Sequence, residues 1–180
     1  MADDAGALLA IIPGIDGDGA LYPIEKMAAH RAGALHLAVS VFVFDGPRLL
    51  IQQRAAGKYH CPGLWANSCC SHPHWGEAPA VGARRRLAEE LGLDLAVTPG
   101  GVLTYRADVG DGLTEHERVH VFRAEAAGAQ ARPNPAEVMD VRWATPADLA
   151  REAAAEPARF APWFRIYLRR WDELGLGAPA

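Results

Sequence analysis

The residues able to do chemistry in this chain gather in a few short segments. Residues 61–73 read Cys-Pro-Gly-Leu-Trp-Ala-Asn-Ser-Cys-Cys-Ser-His-Pro, with adjacent thiols at Cys69 and Cys70. Three cysteines, two of them neighbours, do not make a disulfide framework. A thiol with a chemical task is the better reading. Glu115 and Glu117 stand two apart. On a strand that spacing sends both carboxylates to one face. Arg85, Arg86, Glu89 and Glu90 crowd one segment, with Arg86 and Glu90 four apart. On a helix those two share a face and can pair. Taken singly, each feature has an ordinary reading: a solvated helix face, a strand end, a surface or core histidine.

These groups need elements to position them. Residues 35–44, LHLAVSVFVF, are rich in β-branched and aromatic side chains and predict a strand. Asp45-Gly46-Pro47 is turn chemistry, and residues 48–54 make the second arm of a hairpin. Residues 58–75 hold Pro62, Gly63 and Pro73 and read as a long loop of the functional kind. Residues 79–91 predict a helix, with Ala80, Ala83, Leu87 and Leu91 on one face and Gly92 as the stop. Further strands are expected over 97–107 and 117–125 around a loop at 108–114, and over 139–143. Helices are expected over 146–154 and 162–174, with a fraying tail at 175–180. Near the start, residues 8–12 read as a short strand, 14–19 as a turn, and 25–32 as a short helix or ordered loop. Strands and helices mix without regular alternation. The fold class is therefore α+β, a mixed-sheet sandwich flanked by helices, and not a doubly wound parallel sheet.

Composition bounds the rest. With 180 residues, half of them hydrophobic and 22% charged, residues 1–180 read as one domain with a sizeable core. A net charge of −4 argues against nucleic acid, which calls for a basic excess. The N-terminal segment carries two early aspartates and no basic region, so no signal peptide is read. The most apolar run, 35–44, is too short to span a bilayer. A cytoplasmic monomer with no membrane insertion is the expectation.

Residues 71–93 resemble the Nudix box, G-x5-E-x7-R-E-U-x-E-E-x-G-U. Glu77, Arg85, Leu87, Glu89, Glu90, Gly92 and Leu93 stand at its positions. Ser71 replaces its first glycine, and Arg86 replaces the glutamate after the arginine. Nudix hydrolases gather carboxylates around Mg²⁺ to activate water against a diphosphate. A guanidinium in place of a ligand removes a metal anchor and offers a phosphate anchor. The helix is better suited to holding a diphosphate than to cutting it.

The cysteine loop is similar to that of the type I isopentenyl-diphosphate isomerases, P-G-x-[WF]-[TA]-N-[ST]-x-C-x-H-P, within the Nudix superfamily. Residues 25–30, 35–37, 114–118, 137–140 and 160–163 resemble other segments of that family, so the likeness runs from Lys26 to Trp163. It implies interconversion of isopentenyl and dimethylallyl diphosphate through a tertiary carbocation. It implies Cys70 and Glu117 as the proton-transfer pair, in either order, with Tyr105 bonded to the carboxyl and Trp163 facing the cation. Cys69 is a bystander. His30, His36, His72, Glu115 and Glu117 are implied as ligands of one divalent metal, and such nitrogen and oxygen donors suit Mn²⁺, Zn²⁺ or Mg²⁺. A second Mg²⁺ would arrive with the diphosphate, on Glu90 and the Cys70 carbonyl. Lys26, Arg54, Lys58 and Arg86 are implied as phosphate contacts. His60, His74, His116 and His120 match no ligand position and read as surface residues or as neighbours of the ligands. Two other readings stand beside this one: a Nudix diphosphate hydrolase, and a metal-stabilised binding module without turnover.

Overall fold

The computed structural model describes residues 10–177. Nine strands form one mixed sheet: β1 (Ile11–Ile15), β2 (Leu21–Glu25), β3 (His36–Asp45), β4 (Arg48–Arg54), β5 (Trp65–Ala66), β6 (Cys69–Ser71), β7 (Thr98–Gly110), β8 (Leu113–Glu125) and β9 (Val138–Ala144). Among the described residues four α-helices accompany it: α1 (Lys26–Ala32), α2 (Pro79–Leu91), α3 (Pro146–Ala155) and α4 (Pro162–Arg169). No helix among the described residues is long and apolar enough to cross a membrane.

Strand β3 is the centre of the sheet. One edge runs parallel to β8 from His36↔Glu117 to Phe44↔Glu125. The other edge is shared in turn by β1, β6 and β4. A strand covered on both faces reads as a continuous apolar run, which is why 35–44 stood out in the sequence. Its side chains alternate between two cores. Val39, Val41 and Val43 pack with Ala83, Leu87 and Leu91 of α2. Ala38, Phe42 and Phe44 belong to the core formed with Leu149 of α3 and Trp163, Phe164 and Tyr167 of α4. Helix α2 occupies the expected span and ends on Gly92 at φ 63°, a left-handed cap that glycine adopts without strain. Ala80, expected on the apolar stripe, is exposed.

Several expectations need correction. The first strand lies at Ile11–Ile15, later than 8–12; residues 8 and 9 fall outside the described residues. Strand β2, absent from the reading, pairs with β1 through a turn held by Asp16 Oδ1, which accepts from Asp18 N at 3.0 Å and Ala20 N at 2.8 Å. The β3–β4 hairpin closes through only the pairs Phe44↔Leu49 and Asp45↔Arg48, because β4 turns away to pair with β9 and β5. The loop 58–75 contains β5 and β6. The loop 108–114 shrinks to Asp111-Gly112, with φ of 53° and 73°. An Asp-Gly pair with both φ positive is the turn that matches strand twist. Glu115 and Glu117 therefore lie inside a strand. The helix expected over 162–174 ends at Arg169, and Trp171–Leu174 forms a 3₁₀ turn. That turn sits directly on the backbone of β7: a Cβ at Gly101 would lie 2.1 Å from Glu173 O.

Candidate active site

Two positions on neighbouring strands start the site. The register sets His36 of β3 beside Glu117 of β8. Strand alternation puts Leu113, Glu115, Glu117, Val119 and Val121 on the buried side of β8, so both carboxylates are enclosed. Helix α1 supplies His30. Its N-cap Glu25 accepts from Met27 N and Ala28 N, and the His30 ring holds its Nδ1 2.7 Å from Lys26 O. His72 follows β6. Ligand atoms of His30, His36, His72 and Glu117 all lie within 4.8 Å of one another. Glu115 falls in an overlapping group with His30 and His60. The five residues expected as one ligand set thus divide between two groups that share His30.

This donor set fits a divalent cation. His30 Nε2 is buried without a hydrogen-bond partner, although its Nδ1 is engaged. A metal would satisfy it. Burial, with the neighbouring His36, lowers His30 to about 4, and burial lowers His72 to about 3. Both rings are neutral at physiological pH, the form that ligates. His36 Nδ1 lies 2.8 Å from Ala34 O, which turns its Nε2 toward His72 Nε2 at 3.2 Å and Glu117 Oε1 at 3.6 Å.

Tyr105 sits between the two carboxyls, with Oη 2.8 Å from Glu115 Oε2 and 2.7 Å from Glu117 Oε2. One phenol has one proton. The second contact needs a proton on a carboxyl. Burial and the charge of Glu117 push Glu115 well up. Burial pushes the same way on Glu117, but hydrogen bonds from His36 and His72 outweigh it and hold that carboxyl well down.

The two cysteines face opposite ways. Cys69 is fully buried among Val39, Val41 and Leu87 on the α2 side. Cys70 is half-buried on the α4 side, lining a cavity with Arg54, Tyr59, His60, His72, Glu90, Glu115 and Trp163. Burial and the charges of Glu117 and Glu115 push its thiol well up. Trp163 is 1% exposed, and its Nε1 has no hydrogen-bond partner. Sequence reasoning alone leaves this residue as core; its ring is also a wall of the cavity.

The four cations converge on the same cavity and its mouth. Lys26 is lowered to about 8 by burial and by the charges of Lys58, Arg86 and Arg54. Arg54 donates from Nε and Nη2 to His60 O and lies 5.1 Å from the Trp163 ring centroid. Arg86 reaches Glu89 at 2.5 Å, Glu90 at 2.8 Å and Glu137 at 3.2 Å. Lys58 pairs with Glu137. Burial works against the Glu137 charge, yet Lys58 and Arg86 hold this carboxyl at about 2. Glu90 belongs to neither His/Glu group. It accepts from Gln52 Nε2 at 2.8 Å and from Arg86. Arg85 clamps Glu77 through Nε and Nη2, both at 2.8 Å, which ties the box's first carboxylate to the helix.

Some site residues escaped the sequence reading. His60 is 4% exposed, which fits the second of its two readings, a neighbour of the ligands, and not the surface one. Arg54 Nη2 lies 3.2 Å from His60 Nδ1. A guanidinium only donates. The imidazole proton therefore sits on Nε2, which faces Glu115 Oε1 at 3.4 Å. Tyr59, Glu137, Ser40 and Tyr167 were not singled out. Glu137 lay in a segment noted for its likeness, and two cations beside it were its only signal. His74 is exposed, and His116 and His120 are half-buried.

The fold and the His/Glu pocket define a NUDIX-domain protein, and the NUDIX domain pattern matches residues 34–164. Among solved structures, the DR0079 protein of Deinococcus radiodurans superposes with a TM-score of 0.73 at 18% identity, over 89% of this chain and 98% of that one. The MutT protein of Methanosarcina mazei Go1 gives 0.58 at 15% identity, over 77% of this chain and 93% of that one. These likenesses concern the fold alone. Among curated proteins, an isopentenyl-diphosphate Delta-isomerase of Cereibacter sphaeroides is 56% identical over 84% of this chain and 86% of its own length. That of Dinoroseobacter shibae is 52% identical over 91% and 94%. The chain belongs to the Nudix superfamily and, within it, to the type I isopentenyl-diphosphate isomerase family.

Proposed function

We propose that this protein interconverts isopentenyl and dimethylallyl diphosphate. The observation that carries the reading is one cavity lined by the Cys70 thiol, the Glu115 and Glu90 carboxyls, the Trp163 indole and all four cations, with Glu117 joined to Glu115 through the Tyr105 hydroxyl. Moving a terminal double bond needs a proton added at one carbon and another removed two carbons away. The cation between those events needs a wall that does not capture it, and an indole face is the best side chain for that attraction. Cys70 and Glu117 are the proposed pair. One member of the pair gives its proton to the terminal carbon, and the other, deprotonated, takes one from the carbon beside the oxygen-bearing methylene. In the reverse direction the member that took a proton gives it back, and the member that gave one takes one. The pair therefore holds one proton between its members, and each is the acid in one direction and the base in the other.

His30, His36, His72 and Glu117 would hold a divalent metal, with Glu115 beside them through His30. Bound there, it would supply positive charge that fixes Glu117 and favours its ionised form. Lys26, Arg54, Lys58 and Arg86 would compensate the diphosphate, with Glu90 holding the Mg²⁺ that the substrate brings. Burial of these groups strengthens each contact by excluding water.

Proton NMR of isopentenyl diphosphate with protein and Mg²⁺ tests the reading. Dimethylallyl diphosphate is expected without release of inorganic phosphate. Phosphate as the main product would favour a hydrolase, and tight binding without change a binding module.

Arg86 separates these chemistries. Arg86→Glu sets a fourth carboxylate beside Glu89, Glu90 and Glu137. Loss of one charge-assisted hydrogen bond is expected to weaken diphosphate binding about tenfold or more. Calorimetric titration with the diphosphate, Mg²⁺ present, gives the number. Unchanged affinity would confine Arg86 to the ion pairs of its helix.

A further inference from the structure

Two hydroxyls, those of Ser40 and Tyr167, meet at the Cys70 sulfur. Strand register makes Ser40 of β3 the direct cross-strand neighbour of Cys70 on β6. Ser40 Oγ lies 2.8 Å from Cys70 Sγ. Tyr167 Oη lies 3.1 Å from Ser40 Oγ and 3.6 Å from the sulfur, so the three polar atoms close a triangle. Ser40 and Tyr167 are wholly buried. Each is itself held. Asn67 Nδ2, whose two hydrogens serve Val41 O at 3.1 Å and Cys69 O at 3.0 Å, also lies 3.4 Å from Ser40 Oγ. The Tyr167 ring is wedged between Phe42 and Tyr105, each at 5.8 Å between centroids.

Helix geometry explains how Tyr167 gets there. It stands four residues after Trp163 on α4, so both rings leave the same helix face. The helix thus presents an indole to the cavity and, one turn on, a hydroxyl to the sulfur.

Hydrogen-bond accounting gives the arrangement its purpose. Ser40 has one hydroxyl proton, to give to Tyr167 or to sulfur. With a thiolate, both hydroxyls can donate to Sγ. With a thiol, the S–H can donate to Ser40 Oγ while Ser40 donates to Tyr167. Both protonation states are satisfied without moving the sulfur. A group that gives a proton in one direction and takes it in the other must stay in place through both events, because the reacting carbon does not follow it.

We propose that Ser40 and Tyr167 are positioning residues that hold Cys70 Sγ in register with the substrate. The inference rests on the isomerase reading above. It predicts that Tyr167→Phe and Ser40→Ala each lower kcat roughly 10- to 100-fold, the penalty of a displaced reacting group. KM, metal content and thermal midpoint should stay close to wild type, since neither side chain is among the proposed ligands or cations. Ser40→Thr, which keeps a hydroxyl, should recover much of the loss; should its extra methyl unfold the chain, Tyr167→Phe alone decides, because it removes a single oxygen. The assay is formation of dimethylallyl diphosphate, with elemental analysis and melting in parallel. Unchanged kcat in Tyr167→Phe and Ser40→Ala overturns the proposal, and so does a loss of kcat that tracks a fall in thermal midpoint. Wild-type protein that makes no dimethylallyl diphosphate overturns the isomerase reading itself, and this inference with it.

Discussion

Cys70→Ala is expected to bind the diphosphate, keep its metal and lose turnover by roughly 10³-fold or more, the scale of a lost acid or base. The thiol lies in neither His/Glu group, so the metal donors remain whole. It is half-buried against a cavity wall, and truncating it removes one atom without exposing a charge. The neighbouring thiol supplies the control. Cys69 faces the other side of the sheet, among Val39, Val41 and Leu87. Cys69→Ala should leave the rate near wild type and lower stability by about 1 kcal/mol, the cost of a small cavity. The two variants therefore separate along two measurements. Cys70→Ala moves kcat and leaves the melting temperature, whereas Cys69→Ala does the reverse. Near wild-type turnover in Cys70→Ala would sink the proton-transfer assignment. A dead Cys69→Ala beside an active Cys70→Ala would mean that strand β6 is read with the wrong face inward.

The elements legible in the sequence were those with a strong local signal. Helix α2 has a proline start, apolar spacing and a glycine stop, and its span matched. Strand β3 has ten residues of nearly unbroken apolar character because both its faces are covered. Strand β2 carried no such pattern: Leu21 is exposed, Pro23 interrupts the run, and β1 is its pairing partner. Glu115 and Glu117 were expected on one face of a strand end, with the strand starting at 117. What places them inside is the Asp111-Gly112 turn, a two-residue cue overshadowed by the glycines around it.

The site shows the same division. Loop motifs and box spacing brought forward Cys70, His72, Arg86 and Glu90. The residues that were missed act through distant contacts. Tyr167 reaches Cys70 only because α4 crosses the face of β3, and His60 is buried only because Arg54 and Trp163 close over it. No local pattern in residues 59–60 or 162–169 encodes those meetings. Glu137 follows the same logic, since its two cations come from α2 and from the segment after β4.

Glu117→Gln is expected to abolish measurable isomerisation and to lower metal content, and the reasons can be separated. The carboxylate contacts His72 Nε2 at 3.0 Å, His36 Nε2 at 3.6 Å and Tyr105 Oη at 2.7 Å. An amide keeps the shape, removes the charge and cannot carry the proton. Activity alone would not tell a lost acid from a lost ligand. His72→Ala removes a ligand and leaves the carboxyl, so its activity should follow its metal content and recover in part as divalent metal is added. Tyr105→Phe leaves every proposed ligand in place and takes away the hydroxyl shared with Glu115. It should retain metal and lose turnover roughly 10- to 100-fold, as expected for a group that orients an acid rather than supplying the proton. Glu117→Gln should differ from both, staying inactive however much metal is supplied. Elemental analysis and turnover across a metal titration, run on the three variants together, decide the matter. Activity that returns in Glu117→Gln with added metal would make Glu117 a ligand only and would move the proton-transfer role to Glu115, the other carboxyl that Tyr105 touches.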